Sequence, residues 1–221
     1  MKIFFKKVSM RLMKIFKTIL KILNLKLDIQ SNMEYQKIIN KYYPDGSRMR
    51  EIYMCHCRSV SNLALEINKR LNLGLDPSEV EEAAMLHDIG IFLTFSPKID
   101  CHGDEAYILH GPLGAQLLRS LGVSDKIADV AERHTGAGIT IEDIDSQNLP
   151  LDRRDYSPRT TLEKLICYAD KFFSKSGSLE RKTLEQVRQS MAKISANTLS
   201  RFEILQAEFG ENEDDADKKS D

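Results

Sequence analysis

At 221 residues, with 42% hydrophobic and 29% charged side chains, the chain is long enough for one packed domain and too apolar for global disorder. A net charge of −1 conceals a split: residues 1–32 carry eight basic residues against the single acid Asp28, a segment charge of +7 that leaves the remainder at −8. An acidic body excludes a broad phosphate-tracking surface, so no nucleic-acid partner is expected, and a phosphorylated ligand would need local cations or metal ions.

The chain opens with "MKIFFKKVSMRLMKIFKTILKILNLKLD", in which a lysine or arginine interrupts the apolar residues every three or four positions. That spacing predicts a basic amphipathic helix. Its apolar runs reach only three residues, too short for a membrane span or a signal-peptide core, and no small-residue cleavage site follows. Two readings stand equally: a helix making peripheral contact with the inner surface of the membrane, or sequence translated ahead of a start at Met33. A cytoplasmic protein is expected in both. The four cysteines (Cys55, Cys57, Cys101, Cys167) lack dense regular spacing, which suits reduced thiols rather than a disulfide framework.

From Met33 onward apolar residues recur at helical spacing, predicting helices over 34–43, 48–72, 77–88, 112–121, 125–134, 160–174 and a long terminal one over 179–209, with no strand alternation. Asp76-Pro77-Ser78-Glu79 supplies an N-cap acid, a first-turn proline and a capping-box glutamate in order. Ser124 and Thr140 suit N-caps, and Gly74, Gly122 and Gly177 suit helix ends. The stretch 136–159, with Gly136, Gly138, Pro150 and Pro158, is the longest irregular connection, and such loops are usually functional or disordered. Residues 210–221 carry six acids and read as a solvated tail. The expected fold class is all-α, one helical bundle over 33–209 with a long C-terminal helix.

Within this pattern several polar residues occupy apolar stripes. His56 lies on the face Ile52, His56, Val60, Leu63, Ile67; His87 follows Val80 and Ala84; His134 follows Ile127 and Val130. Asp170 stands among Leu162, Ile166 and Phe173, a carboxylate on an otherwise apolar face. His110 precedes Gly111-Pro112 at a helix start, where free backbone amides also favour an anion. A lone inward histidine is more often a hydrogen-bonded core residue than a ligand. Four of them with Asp88 and Asp170 form a set, and buried charges of this kind are normally paired or coordinated. Cys55-His56-Cys57 is not a zinc motif, because helix neighbours point about 100° apart. His102 lies on no apolar stripe and reads as a surface-loop residue, and Cys167 as packing.

In order, His56, "LHDIG" at 86–90, "LHGPLGAQLL" around His110, "ERHTGAG" around His134 and "CYADK" around Asp170 resemble the HD-domain superfamily of metal-dependent phosphohydrolases over most of 48–175. The two extra histidines resemble its dinuclear branch, which includes HD-type hydrolases that cut diadenosine tetraphosphate symmetrically. The chain is also similar to small archaeal and bacterial "HDIG" proteins of undefined function. The resemblance implies a helical HD fold holding two divalent ions, iron or manganese foremost. His56, His87, Asp88 and Asp170 would hold one, and His110 and His134 the other, with Asp88 bridging. His87 and Asp88 are then the catalytic pair, a bridging water the nucleophile, and a small phosphorylated compound such as a nucleotide or dinucleoside polyphosphate the substrate.

The pattern departs from the family in two places. Ile91 follows Gly90 where the family often has a lysine, so substrate charge must be met elsewhere. Candidates are Arg153, Arg154 and Arg159 in the long loop, with Lys171 and Lys175 beside the Asp170 helix, although any single one of them is more commonly a solvated surface charge. The Gly-Tyr-Pro extension of cyclic-di-nucleotide phosphodiesterases is missing, which disfavours that substrate. Two other functions share the ligand set: a di-iron HD-fold oxygenase, and a regulatory module that binds metal or nucleotide without turnover.

Overall fold

The computed structural model describes residues 34–176 and 180–211; the basic segment 1–32, Met33, the short stretch 177–179 that begins with Gly177, and the tail from 212 lie outside the described residues. Residues 34–42 form α1 and Arg48–Leu71 form α2. Ser47 starts α2 by accepting the Arg50 amide, and Asn72, left-handed at φ 49°, ends it. Then follow α3 (Pro77–Leu86), α4 (His110–Ser120), α5 (Asp125–Arg133), α6 (Ile141–Gln147), α7 (Thr161–Asp170), α8 (Leu184–Ile194) and α9 (Ala196–Phe209). One apolar core runs from Tyr35 and Ile39 of α1 through Val60, Leu118, Val130 and Ile166 to Phe202 and Phe209 of α9. The fold is all-α, and among the described residues no helix is long and apolar enough to cross a membrane.

The structure corrects several boundaries. The long terminal helix expected over 179–209 is two helices. Ser195 is extended (φ −168°, ψ 161°); its amide closes α8 on the Met191 carbonyl and its hydroxyl accepts the Thr198 amide to start α9. No glycine or proline marks the break, and both halves keep an apolar face, so periodicity runs straight through it. The connection 136–159 contains α6, opened by a reciprocal Thr140–Asp143 capping box. α4 begins at His110, because Pro112 falls in the first turn, where its missing N–H is not needed. Glu79 reaches Lys126 at the start of α5. Phe95–Ser96 (β1) pairs antiparallel with Cys101–His102 (β2), a ladder too short to leave an alternating pattern in the sequence.

The segment from His87 to His110, which joins α3 to α4, is held from behind. Tyr53 of α2 donates to the Met85 carbonyl (2.5 Å) and Tyr43 to the Ile89 carbonyl (2.9 Å), with their rings stacked 4.1 Å apart. Burial pushes both phenols away from ionisation, so they stay donors. Gly90 lies where the 3-10 turn Ile89–Leu93 crosses the start of α4. A Cβ there would overlap the His110 carbonyl oxygen and stand 2.6 Å from the Gly114 amide nitrogen, so the approach requires glycine. Gly90→Ala is expected to cost about 3 kcal/mol or more and to lower the melting temperature by about 6 °C or more. Thermal unfolding checks this; an unchanged Tm would mean that the turn and α4 separate without cost.

Candidate metal centre

Three of the four core histidines stand at the ends of helical turns and fold back on their own backbone. His87 Nδ1 bonds the Ala84 carbonyl (2.6 Å), His110 Nδ1 the Tyr107 carbonyl (2.6 Å) and His134 Nδ1 the Ala131 carbonyl (2.8 Å). A carbonyl can only accept, so each Nδ1 carries the proton and each Nε2 is left to face inward as the ligand atom. The same bond to residue i−3 recurs three times.

These Nε2 atoms converge on Asp88. His56 Nε2 lies 3.2 Å from His87 Nε2, 3.1 Å from Asp88 Oδ2 and 2.9 Å from Asp170 Oδ1, and His87 Nε2 lies 3.2 Å from Asp88 Oδ2. On the other side His110 and His134 bring their Nε2 atoms to 3.0 Å of each other and to 3.5 and 3.3 Å of Asp88 Oδ1. One carboxylate oxygen therefore faces each histidine pair. The ligand atoms of His56, His87, Asp88 and Asp170, and those of Asp88, His110 and His134, form two groups each within 4.8 Å, all buried. Neither Asp88 oxygen has a hydrogen-bond partner in acceptable geometry, although both are sealed from solvent. A buried carboxylate is costly unless cations meet it; Lys175 meets Oδ2 as an ion pair, while Oδ1 faces the His110 and His134 imidazoles. Imidazole and carboxylate donors suit iron, manganese or zinc, so the residues present fit divalent metal ions.

The electrostatics point the same way. Burial opposes the charge on Asp88, but Lys175, 2.6 Å from Oδ2, and His87 override it and hold the carboxyl well below the usual range. Asp170 is buried too, and Lys171 (2.7 Å) with Lys175 lowers it likewise. Burial, reinforced by His134, pushes His110 down to about 3, and burial also lowers His134. Burial would lower His87 as well, but Asp88 outweighs it and raises His87 well above its ordinary value. A metal ion on the His87 side must therefore displace a proton, whereas the His110 side is already deprotonated near neutral pH. Metal affinity on the His87 side is expected to rise with pH between about 6 and 8 and to stay nearly flat on the His110 side. Metal titrations of His110→Ala and His56→Ala proteins at both ends of that window compare the two, and equal slopes would contradict the assignment.

Other residues singled out in the sequence have varied surroundings. Lys171 Nζ donates to the His134 carbonyl (3.0 Å) as well as meeting Asp170. Arg153 pairs with Asp145 of α6, and Arg154 binds Glu132 of α5 (2.6 Å) while lying over the Tyr156 ring, so both arginines have carboxylate partners other than the six clustered residues. The Arg159 backbone amide donates to Glu163 Oε2 (3.0 Å). His102 is exposed beside Asp100, and Cys167 is buried with its thiol toward the Gly136 carbonyl. Two neighbours of the cluster are missed by a reading of the sequence alone. The Tyr107 ring stacks on His110 (centroids 4.7 Å apart), and Thr135 Oγ1 lies 3.5 Å from His110 Nε2. Position i−3 from a core histidine is the available signal for Tyr107. Tyr107 is 36% exposed, whereas Asp88 is fully buried; the Asp170 and Lys175 side chains keep 10% and 14% exposure. The mouth of the cluster therefore lies among Tyr107, Asp170 and Lys175.

Comparison with known proteins gives the family. An uncharacterized protein of Methanocaldococcus jannaschii is 41% identical over 118 residues, which is 52% of this chain and 62% of that protein. The tRNA (cytidine(56)-2'-O)-methyltransferases of Thermoplasma volcanium and Picrophilus torridus are 32% and 30% identical over 148 and 161 residues, covering 63% and 69% of this chain but 39% and 42% of theirs. The chain thus spans less than two thirds of the length of each of these relatives. No solved structure matches. The HD-domain description matches residues 53–174, a span that takes in all six clustered side chains on their helical scaffold, and the chain belongs to the HD-domain family.

Proposed function

We propose that the protein is a metal-dependent phosphohydrolase of the dinuclear type, cleaving a small phosphate ester or anhydride of the nucleotide or dinucleoside polyphosphate class. The observation that carries this reading is the placement of Asp88, with one oxygen toward His56 and His87 and the other toward His110 and His134. Two ions such as iron or manganese bound there would polarise a phosphoryl oxygen and acidify a water for attack. The chain's own residues supply the rest. The three Nδ1 bonds to backbone carbonyls fix the imidazoles, and Lys171 and Lys175 set positive charge beside Asp170 and Asp88.

A cavity of about 420 Å³ is lined by Ser174, Glu180, Arg181, Lys182, Gln186 and Lys193 among others. Lys182, on its wall, donates through Nζ to the Lys171 carbonyl (3.4 Å). A buried cluster on an acidic body favours a free small molecule over a polynucleotide. The methyltransferase name of two relatives describes proteins of which the chain spans about two fifths, and methyl transfer needs no such cluster, so we propose none.

The test is phosphate release from nucleotides and dinucleoside polyphosphates by iron- or manganese-loaded protein, with chelated protein as control. Release that chelation abolishes supports the hydrolase. Oxygen-dependent turnover without phosphate release would favour the oxygenase, and ligand binding without turnover the regulatory module.

A further inference from the structure

Lys175 places an ammonium inside the cluster. Its Nζ lies 2.6 Å from Asp88 Oδ2, the oxygen that also faces His56 and His87 at 3.1 and 3.2 Å. The residue sits five positions beyond Asp170, outside α7, and its further polar neighbours are the Tyr107 phenol at the mouth and the Asp170 carboxylate. A divalent ion held by His56, His87, Asp88 and Asp170 would bind that same oxygen at about 2 Å. Two cations on one carboxylate oxygen in a buried site repel strongly, so the ammonium and the ion exclude each other.

We infer that Lys175 is a built-in counter-ion for Asp88 that a divalent metal ion displaces, and that the displaced ammonium turns toward the Tyr107 rim, where it meets an anionic phosphate. The inference rests on the metal-dependent reading above. Its physical logic is that two carboxylates and four imidazoles packed together need a cation to fold around. Lysine can supply it and then withdraw, because its charge rides on four rotatable methylenes. Metal loading and substrate binding are thereby coupled: the ion that completes the cluster also frees the group that grips the substrate.

The test compares wild type with Lys175→Met, which keeps the volume and removes the charge. For chelator-treated protein the Tm of the variant should fall by about 5 °C or more, because a buried carboxylate loses its partner, while manganese-loaded protein should melt within about 2 °C of wild type. Manganese affinity, measured by competition with a metallochromic chelator, should rise at least about tenfold, since no ammonium has to leave. Lys175→Arg, which retains the charge, should keep the chelated Tm. If Lys175→Met is recovered only with manganese, that supports the inference; if it is recovered under neither condition, Lys175→Gln is measured in the same way. Equal Tm losses in chelated and loaded protein, or an unchanged or weaker manganese affinity, would overturn the inference and leave the metal-dependent reading intact. Failure of wild type and variant alike to bind manganese would bring down that reading, and the inference with it.

Discussion

Asp88→Asn protein is expected to lose turnover by about 10³-fold or more and to bind metal weakly at both groups. The reason is geometric. Asp88 Oδ2 faces His56 and His87, and Oδ1 faces His110 and His134, so this one carboxylate belongs to both ligand groups. Asparagine keeps the shape and offers a single acceptor oxygen without charge. Whichever way the amide turns, its NH₂ points at one histidine pair, and the neighbouring Lys175 loses its countercharge. Metal analysis and phosphate release on the purified variant check this together. Full metal content with full turnover would show that Asp88 bridges nothing.

A second large effect is expected from His134→Ala, which should remove one metal equivalent and spare the other, with turnover down about 10²-fold. His134 Nε2 meets Asp88 Oδ1 and His110 Nε2, on the far side of the carboxylate from Asp170. The fold should survive the change, because the imidazole is tied to the backbone of its own helix by the single Nδ1 bond to the Ala131 carbonyl, which contributes about 1 kcal/mol. His56→Ala is the mirror experiment, removing the ion of the Asp170 side. Metal content per folded chain decides the matter, and loss of both ions or of neither from His134→Ala would contradict the division into two groups.

Much of this arrangement is legible from periodicity. His56, His87, His134 and Asp170 each fall on an apolar helical stripe, and the structure buries all four and brings them together with Asp88 and His110. What periodicity does not carry is geometry across elements. The break at Ser195 leaves both flanking stripes intact, so nothing in the local spacing marks it. The requirement for glycine at position 90 becomes visible only when the Ile89–Leu93 turn is seen to touch the backbone of α4. Charge is the hardest case. Arg153, Arg154, Lys171 and Lys175 look alike in the sequence as basic residues near loops. Asp145 of α6 and the buried Glu132 of α5 hold the two arginines, while Lys171 and Lys175 turn inward to Asp170 and Asp88. Tyr107 belongs to no apolar stripe, and its place three residues before His110 is the one signal it leaves; its role as the carbonyl acceptor and stacking partner of His110 depends on one turn of 3-10 helix.

The most direct measurement is elemental analysis of the wild-type protein, purified without oxygen and without chelators, expressed as metal per folded chain. About two equivalents of iron, manganese or a similar divalent metal are expected, falling to about one in His134→Ala and close to none in Asp88→Asn. Metal-free wild-type protein that also fails to take up added iron or manganese would contradict the reading at its root, leaving the four histidines and two aspartates as a buried polar network stabilised by lysine alone.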